Sequence, residues 1–155
     1  MNHELVMLRG LAHCRRKLRR LEEESLSYAL KCFSTECMRD GTVGQVRVMA
    51  QLAVERENLE RYVELVKLAL TNMPVGYRAL IIAVYVKRVS IEELREKYHV
   101  SVSTVYRKLA KARKCFRAKL EALGCTEEWF VATYGNDEVF HALLQRPKNG
   151  ARISE

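Results

Sequence analysis

Chain breakers are scarce in this sequence: seven glycines and two prolines in 155 residues, roughly half the usual share. Turn-dense β architectures need such punctuation every ~8–12 residues, so they are excluded and an all-α protein is expected. Long apolar stretches are missing too. The longest uninterrupted run, Ala79 to Val86, is eight residues, far below the ~20 that cross a bilayer, so no transmembrane helix and no membrane partner are expected. Near the start, Leu5 to Leu8 is broken by Arg9 and then by the basic cluster Arg15 to Arg20. That pattern draws no secretory leader and predicts a cytoplasmic protein.

Catalytic and metal-binding signatures are equally thin. The five cysteines (Cys14, Cys32, Cys37, Cys115 and Cys125) are odd in number, scattered and without a CxxC pair, so reduced thiols are expected rather than disulfides or a zinc site. His3, His13, His99 and His141 have no ligand spacing to cysteines or acids. No glycine-rich phosphate loop occurs, and no nucleophile has a base nearby in sequence. Neither an enzyme, a catalytic residue, a metal nor a cofactor is expected.

What the chain does have is charge and apolar content: 48% hydrophobic residues, enough for a core, and 27 Lys plus Arg against 19 Asp plus Glu, a formal net charge of +8. The excess is local. Residues 1–20 carry +5 and residues 100–120 carry +7 with no acidic residue at all, whereas the remaining segments are neutral or negative. A positive helical stripe is often only a solvated face. Beside a reading motif it becomes a nucleic-acid footprint, because cations on phosphates release condensed counterions.

Periodicity organises the first half. From Met7 a heptad seam runs through Leu11, Cys14, Leu18, Leu21, Ser25, Tyr28 and Cys32, which predicts one long amphipathic helix. Loop residues follow from Phe33 to Gly44. A second helix is expected from about Val46 to Asn72, with Met49, Leu52, Leu59, Val63, Val66, Leu70 and Met73 on one face and Arg56 interrupting it. Residues 1–72 would close as an antiparallel helical hairpin or pair with a second chain as a homodimer. In the basic cluster, the spacing lets Glu22, Glu23 and Glu24 pair with Arg19 and Arg20 along one helix face. That block is expected to be solvated or partner-facing.

The second half carries the motif. Pro74 suits the first turn of a new helix, whose buried side holds Leu80, Ile81, Val84 and Tyr85 and which gives out around Lys87 to Val89. Ser90 and Glu93 form a capping box opening a short helix, Ile91 to Tyr98. After His99, Val100 and Ser101 a third helix begins, with Val105, Leu109, Ala112, Phe116 and Leu120 on its seam and Gly124 placed to end it. Two helices joined by a three-residue turn have helix-turn-helix spacing, with Leu94, Val100 and Val105 as the wedge and Ser101 as an N-cap. Residues 125–145 contribute Trp129, Phe130, Tyr134, Val139, Phe140, Leu143 and Leu144, read as short helices folding back on the core. Residues 146–155 should be a frayed tail.

Residues 73–124 resemble the fourth conserved region of bacterial sigma factors, especially the extracytoplasmic-function type. The phrases beginning at Ser90 (Ser-Ile-Glu-Glu-Leu) and at Val100 (Val-Ser-Val-Ser-Thr-Val-Tyr-Arg-Lys-Leu-Ala-Lys-Ala-Arg) carry that resemblance. Arg95 stands where such motifs favour Ala, and His99 where Gly usually takes the left-handed turn. The preceding residues offer no promoter-melting segment. The plan of long basic helix, second helix and C-terminal motif is similar to the ArpU-type late-gene regulators of phages and integrated elements.

The resemblance implies a transcriptional regulator bound to double-stranded DNA, with RNA polymerase as a further partner. It implies groove-facing roles for Val102, Ser103, Tyr106 and Arg107, and backbone contacts for Lys108, Lys111, Arg113 and Lys114. Arg forks onto guanine, Ser reads several base edges, and Val or Tyr meets a thymine methyl. Two other classes stay open: a small-terminase-like DNA packaging protein, though those usually place the motif first, and an RNA polymerase-binding accessory protein without a promoter site of its own.

Overall fold

A computed structural model of the protein describes residues 2–32 and 41–145. These residues fold into helices, with no strand among them: α1 (His3–Cys32), α2 (Gly41–Thr71), α3 (Val75–Ile81) running on into a π-helical turn (Ile82–Val86), α4 (Ile91–Tyr98), α5 (Val102–Ala122), α6 (Glu127–Tyr134) and α7 (Glu138–Gln145). The all-α class follows directly. Residues 33–40, which hold Cys37 and most of the expected loop, and the expected tail 146–155 lie outside the described residues. None of Cys14, Cys32, Cys115 and Cys125 is in a disulfide.

Two boundaries differ from the sequence expectation. Helix α2 starts at Gly41 rather than Val46: Gly41 opens it with a left-handed backbone (φ 64), and residues 42–44 are helical and not loop. A helical glycine costs about 1 kcal/mol, yet extending a helix already nucleated adds a hydrogen bond per residue without a new nucleation penalty. Helix α1 likewise begins before its expected seam, at His3.

The chain divides into two compact units: Ala12–Glu64, and the segments on either side of it. Within Ala12–Glu64, Cys14 and Leu21 of α1 and Leu59, Tyr62 and Val63 of α2 are buried. Arg56, the polar interruption of the α2 seam, has a reason to be there. Its Nε lies 2.7 Å from Glu60 on its own helix and its Nη2 3.7 Å from Glu22 on α1. Lys17 of α1 makes a second such contact, 2.6 Å from Glu55 of α2. Burial lapses beyond these pairs, where Leu26, Leu30, Val43, Val46 and Val54 are all exposed.

The expected pairing of Arg19 and Arg20 with Glu22 to Glu24 does not occur. Glu22 turns to Arg56 instead, and among the described residues Arg19, Arg20, Glu23 and Glu24 form no ion pair. Side-chain direction explains the failure, because a helical pair is favoured when the acid precedes the base by four residues, and here the bases come first.

In the other unit, Met7, Leu8 and Leu11 of α1 are buried along with Val66, Ala69 and Leu70 of α2. Pro74, one residue ahead of the first helical turn expected for it, is the N-cap of α3, and its carbonyl accepts from Arg78 N–H at 2.9 Å. Helix α3 packs on α5, as does α4. The buried seam of α5 is Val105, Leu109, Ala112, Phe116 and Leu120, the residues expected from spacing. Val84 and Tyr85 are only half-buried, since the apolar run around them passes through a π-helical turn that no sequence signal announces. Helices α6 and α7 bring Phe130, Tyr134 and Phe140 together with ring centroids 5.5–5.7 Å apart, the spacing that aromatic edges and faces favour. His3, fully buried, lies 6.5 Å from Phe130.

Candidate nucleic-acid interface

The candidate surface is built on α4, the turn after it, and α5. Ser90 opens α4 by accepting from Glu93 N–H at 3.2 Å, and Leu94 is its buried anchor. The helix closes on His99, whose backbone is left-handed (φ 51, ψ 45). His99 N–H donates to Glu96 carbonyl at 3.3 Å and Val100 N–H to Arg95 carbonyl at 3.2 Å, the paired bonds of a Schellman ending. Glycine would be the ordinary choice there. Histidine is among the few side chains that enter this region with modest strain.

Ser101 caps α5. Its hydroxyl accepts from Thr104 N–H at 3.3 Å and also lies 3.0 Å from Ser103 Oγ and 2.9 Å from Thr104 Oγ1. Three hydroxyls therefore gather at the start of the helix, where backbone N–H groups point outward and favour negative charge. At the other end Gly124, at φ 81, ends α5, while Cys125 N–H reaches back to Leu120 carbonyl at 2.9 Å.

The residues singled out from the sequence do not all share one environment. Ser103, Arg107, Lys111 and Lys114 recur at steps of four, four and three and are all exposed, so they form one stripe on the side of α5 away from its core seam. Tyr106, 48% exposed, borders that stripe, and Val102 is half-buried beside the cap. Lys108 is exposed on the flank of the seam. None of Arg107, Lys108, Lys111 and Lys114 forms an ion pair among the described residues. A groove of about 450 Å³ runs along this side, walled by Tyr77 and Tyr98, floored by Leu80, Val100 and Val105, and edged by Lys108 and Lys111.

Arg113 stands apart. It sits on the opposite flank of the seam with its Nη2 3.5 Å from the buried carboxylate of Glu4, at the start of α1. Its charge is thus already met within the protein. Glu4 is the residue that the sequence reading overlooked, and a signal for it existed: stepping the α1 seam back three residues from Met7 lands on Glu4. Tyr85 borders this pair, and burial raises its phenol above the ordinary value of 10, with the Arg113 and Arg9 charges opposing that shift and Glu4 adding to it. Arg117 is engaged as well, bonding Glu121 through Nε at 2.9 Å, and that hydrogen bond holds its proton more firmly than usual. Among the described residues no three His, Cys, Asp or Glu side chains converge as a metal site, and no helix is long and apolar enough to cross a membrane.

No protein-family model matches this chain, and neither a curated protein nor a solved structure does.

Proposed function

We propose that this protein is a sequence-specific, DNA-binding transcriptional regulator. In this reading α1 and α2 are an N-terminal helical hairpin, and α4, the His99 turn and α5 are a helix-turn-helix similar to sigma region four, in the layout of the phage and mobile-element regulators. The observation that carries the proposal is the exposed stripe Ser103, Arg107, Lys111 and Lys114, whose three cations have no acidic partner among the described residues and adjoin a capped helix start. A helix presented this way enters a major groove by its first turns. Val102, Ser103, Tyr106 and Arg107 then meet base edges, and Lys108, Lys111 and Lys114 meet phosphates. Arg113 holds Glu4, so its role is to fix α5 against the chain start rather than to touch DNA.

RNA polymerase enters as the partner of a regulator whose motif resembles a sigma region, acting in the cytoplasm. The test is retention of a genomic fragment library on the purified protein, followed by titration of enriched against shuffled duplexes. Enrichment of a shared short sequence supports the proposal. Equal affinity for all fragments would overturn sequence specificity, and no retention at low salt would overturn DNA binding altogether, leaving the polymerase-binding class.

A further inference from the structure

Within the Ala12–Glu64 unit α1 presents a stripe of its own: Ala12, Arg16, Arg19, Glu23, Leu26 and Leu30, at steps of four, three, four, three and four. Every one of them is exposed. Leu26 and Leu30 keep 64% and 63% of their surface accessible, on the side of the helix opposite Leu21, the buried residue of its inner seam. Arg16, Arg19 and Glu23 form no ion pair among the described residues. Two leucines at heptad-like spacing beside unpaired charges are what a helix shows when its partner is another helix.

The order of the charges identifies the partner. Along the stripe a small residue and two cations come first, and an acid and two large apolar residues come last. A second copy of α1 laid antiparallel, with its two-fold axis level with Leu21 but on the stripe's side of the helix, sets Arg19 against Glu23 of the partner subunit and, by symmetry, repeats that contact. In the same register Arg16 lies beside Leu26 of the partner subunit, whose side chain its aliphatic stem covers. Ala12 lies beside Leu30 of the partner subunit, where a methyl leaves room for a leucine. One register satisfies all three pairings, as an isologous interface requires. Helix α2 also exposes Val43, Val46 and Val54, but that face carries no charge order that would fix a register. We propose that the protein associates with a second copy of itself through this α1 stripe, antiparallel, with reciprocal Arg19 to Glu23 contacts. The inference does not depend on the DNA-binding reading.

Sedimentation equilibrium of the full chain tests it, using the wild type, R19E, E23R and the double reversal R19E/E23R, with circular dichroism confirming that each is helical. The wild type is expected to dimerise at micromolar concentration. Each single reversal replaces two attractive contacts by two repulsive ones and is expected to weaken the dimer roughly tenfold. The double reversal restores the contacts with their signs exchanged and is expected to return close to the wild type. A chain monomeric at every concentration overturns the proposal, and so does a double reversal as weak as the singles. A dimer indifferent to these changes but dissociated by Val46→Lys with Val54→Lys would place the interface on α2 and overturn it too.

Discussion

The Glu4 carboxylate, in the first turn of α1, lies 3.5 Å from Nη2 of Arg113, halfway along α5. Only 5% of the Glu4 side chain is accessible, against 31% for Arg113, so the acid has no water to fall back on if the pair is broken. Removing one partner of such a pair leaves a buried group uncompensated, whereas replacing both with apolar residues of similar volume is far milder. Glu4→Gln is therefore expected to cost about 3 kcal/mol, the low end for a buried pair because Arg113 keeps part of its surface in solvent. Glu4→Met with Arg113→Met should cost less than the two single changes added together. Urea denaturation of the four proteins checks this, and strict additivity would count against a direct interaction.

Tyr85 gives the molecule an alkaline limit. Its phenol titrates above the ordinary value of 10 because burial disfavours the phenolate. In the folded state the proton is held more tightly than in the unfolded chain, so the contribution is intact below pH ~10 and is lost as pH rises through the folded pKa. Tyr85→Phe removes that loss. Measured from pH 9 to 11, the variant's unfolding free energy should fall less steeply than the wild type's, and parallel curves would contradict the assignment.

On DNA, Arg107→Ala is expected to cost about 1–3 kcal/mol on an enriched site and much less on random duplex if the guanidinium forks onto a base. Equal losses on both would make it a phosphate contact. Neutralising Lys111 and Lys114 together should instead weaken binding to all sequences and flatten the log-log salt dependence by roughly one unit for each phosphate left without its cation. Arg15→Ala with Arg20→Ala, on a different helix and outside the α1 stripe, should leave the slope unchanged. A slope lowered as much by that pair would put α1 on phosphate too.

His99 holds a left-handed backbone at the centre of the proposed reading motif. Non-glycine residues carry about 1–2 kcal/mol of strain there, part of which glycine returns as greater entropy in the unfolded chain. His99→Gly is expected to stabilise the protein by about 0.5–1 kcal/mol, readable as a raised Tm, without altering affinity for DNA, since the turn keeps its geometry. Destabilisation would mean that the imidazole makes a contact worth more than the strain.

Much of the second half was legible because its local signals agree. Ser90 and Ser101 stand at helix starts, and the seam of α5 reads directly from its spacing, so the capping chemistry and the apolar period point to the same boundaries. The basic stripe was legible as composition, but which cations stay free was not. Arg113 and Lys114 are neighbours in sequence, and only the approach of Glu4 from the far end of the chain separates their environments. The π-helical turn at Ile82–Val86 was invisible for a different reason: an apolar run that is half-buried all round has no amphipathic period to reveal a change of helical pitch. Gly41 and Gly44 misled in the opposite direction, since local propensity is a weak prior against helix extension.

The contact between Glu4 and Arg113 also has a consequence in time. More than a hundred residues separate the two along the chain, and the ordering entropy of closing so long a loop precedes any reward from the contact. On a ribosome the start of α1 emerges before α5, yet Met7, Leu8 and Leu11 belong to a unit that is complete only once the residues from Leu65 onward have left the exit tunnel. At ~5–20 residues per second the opening helix waits several seconds with its apolar side uncovered. This early segment is thus among the last to be buried, and the quality of folding in the cell hangs on what shields Met7, Leu8 and Leu11 in the interval.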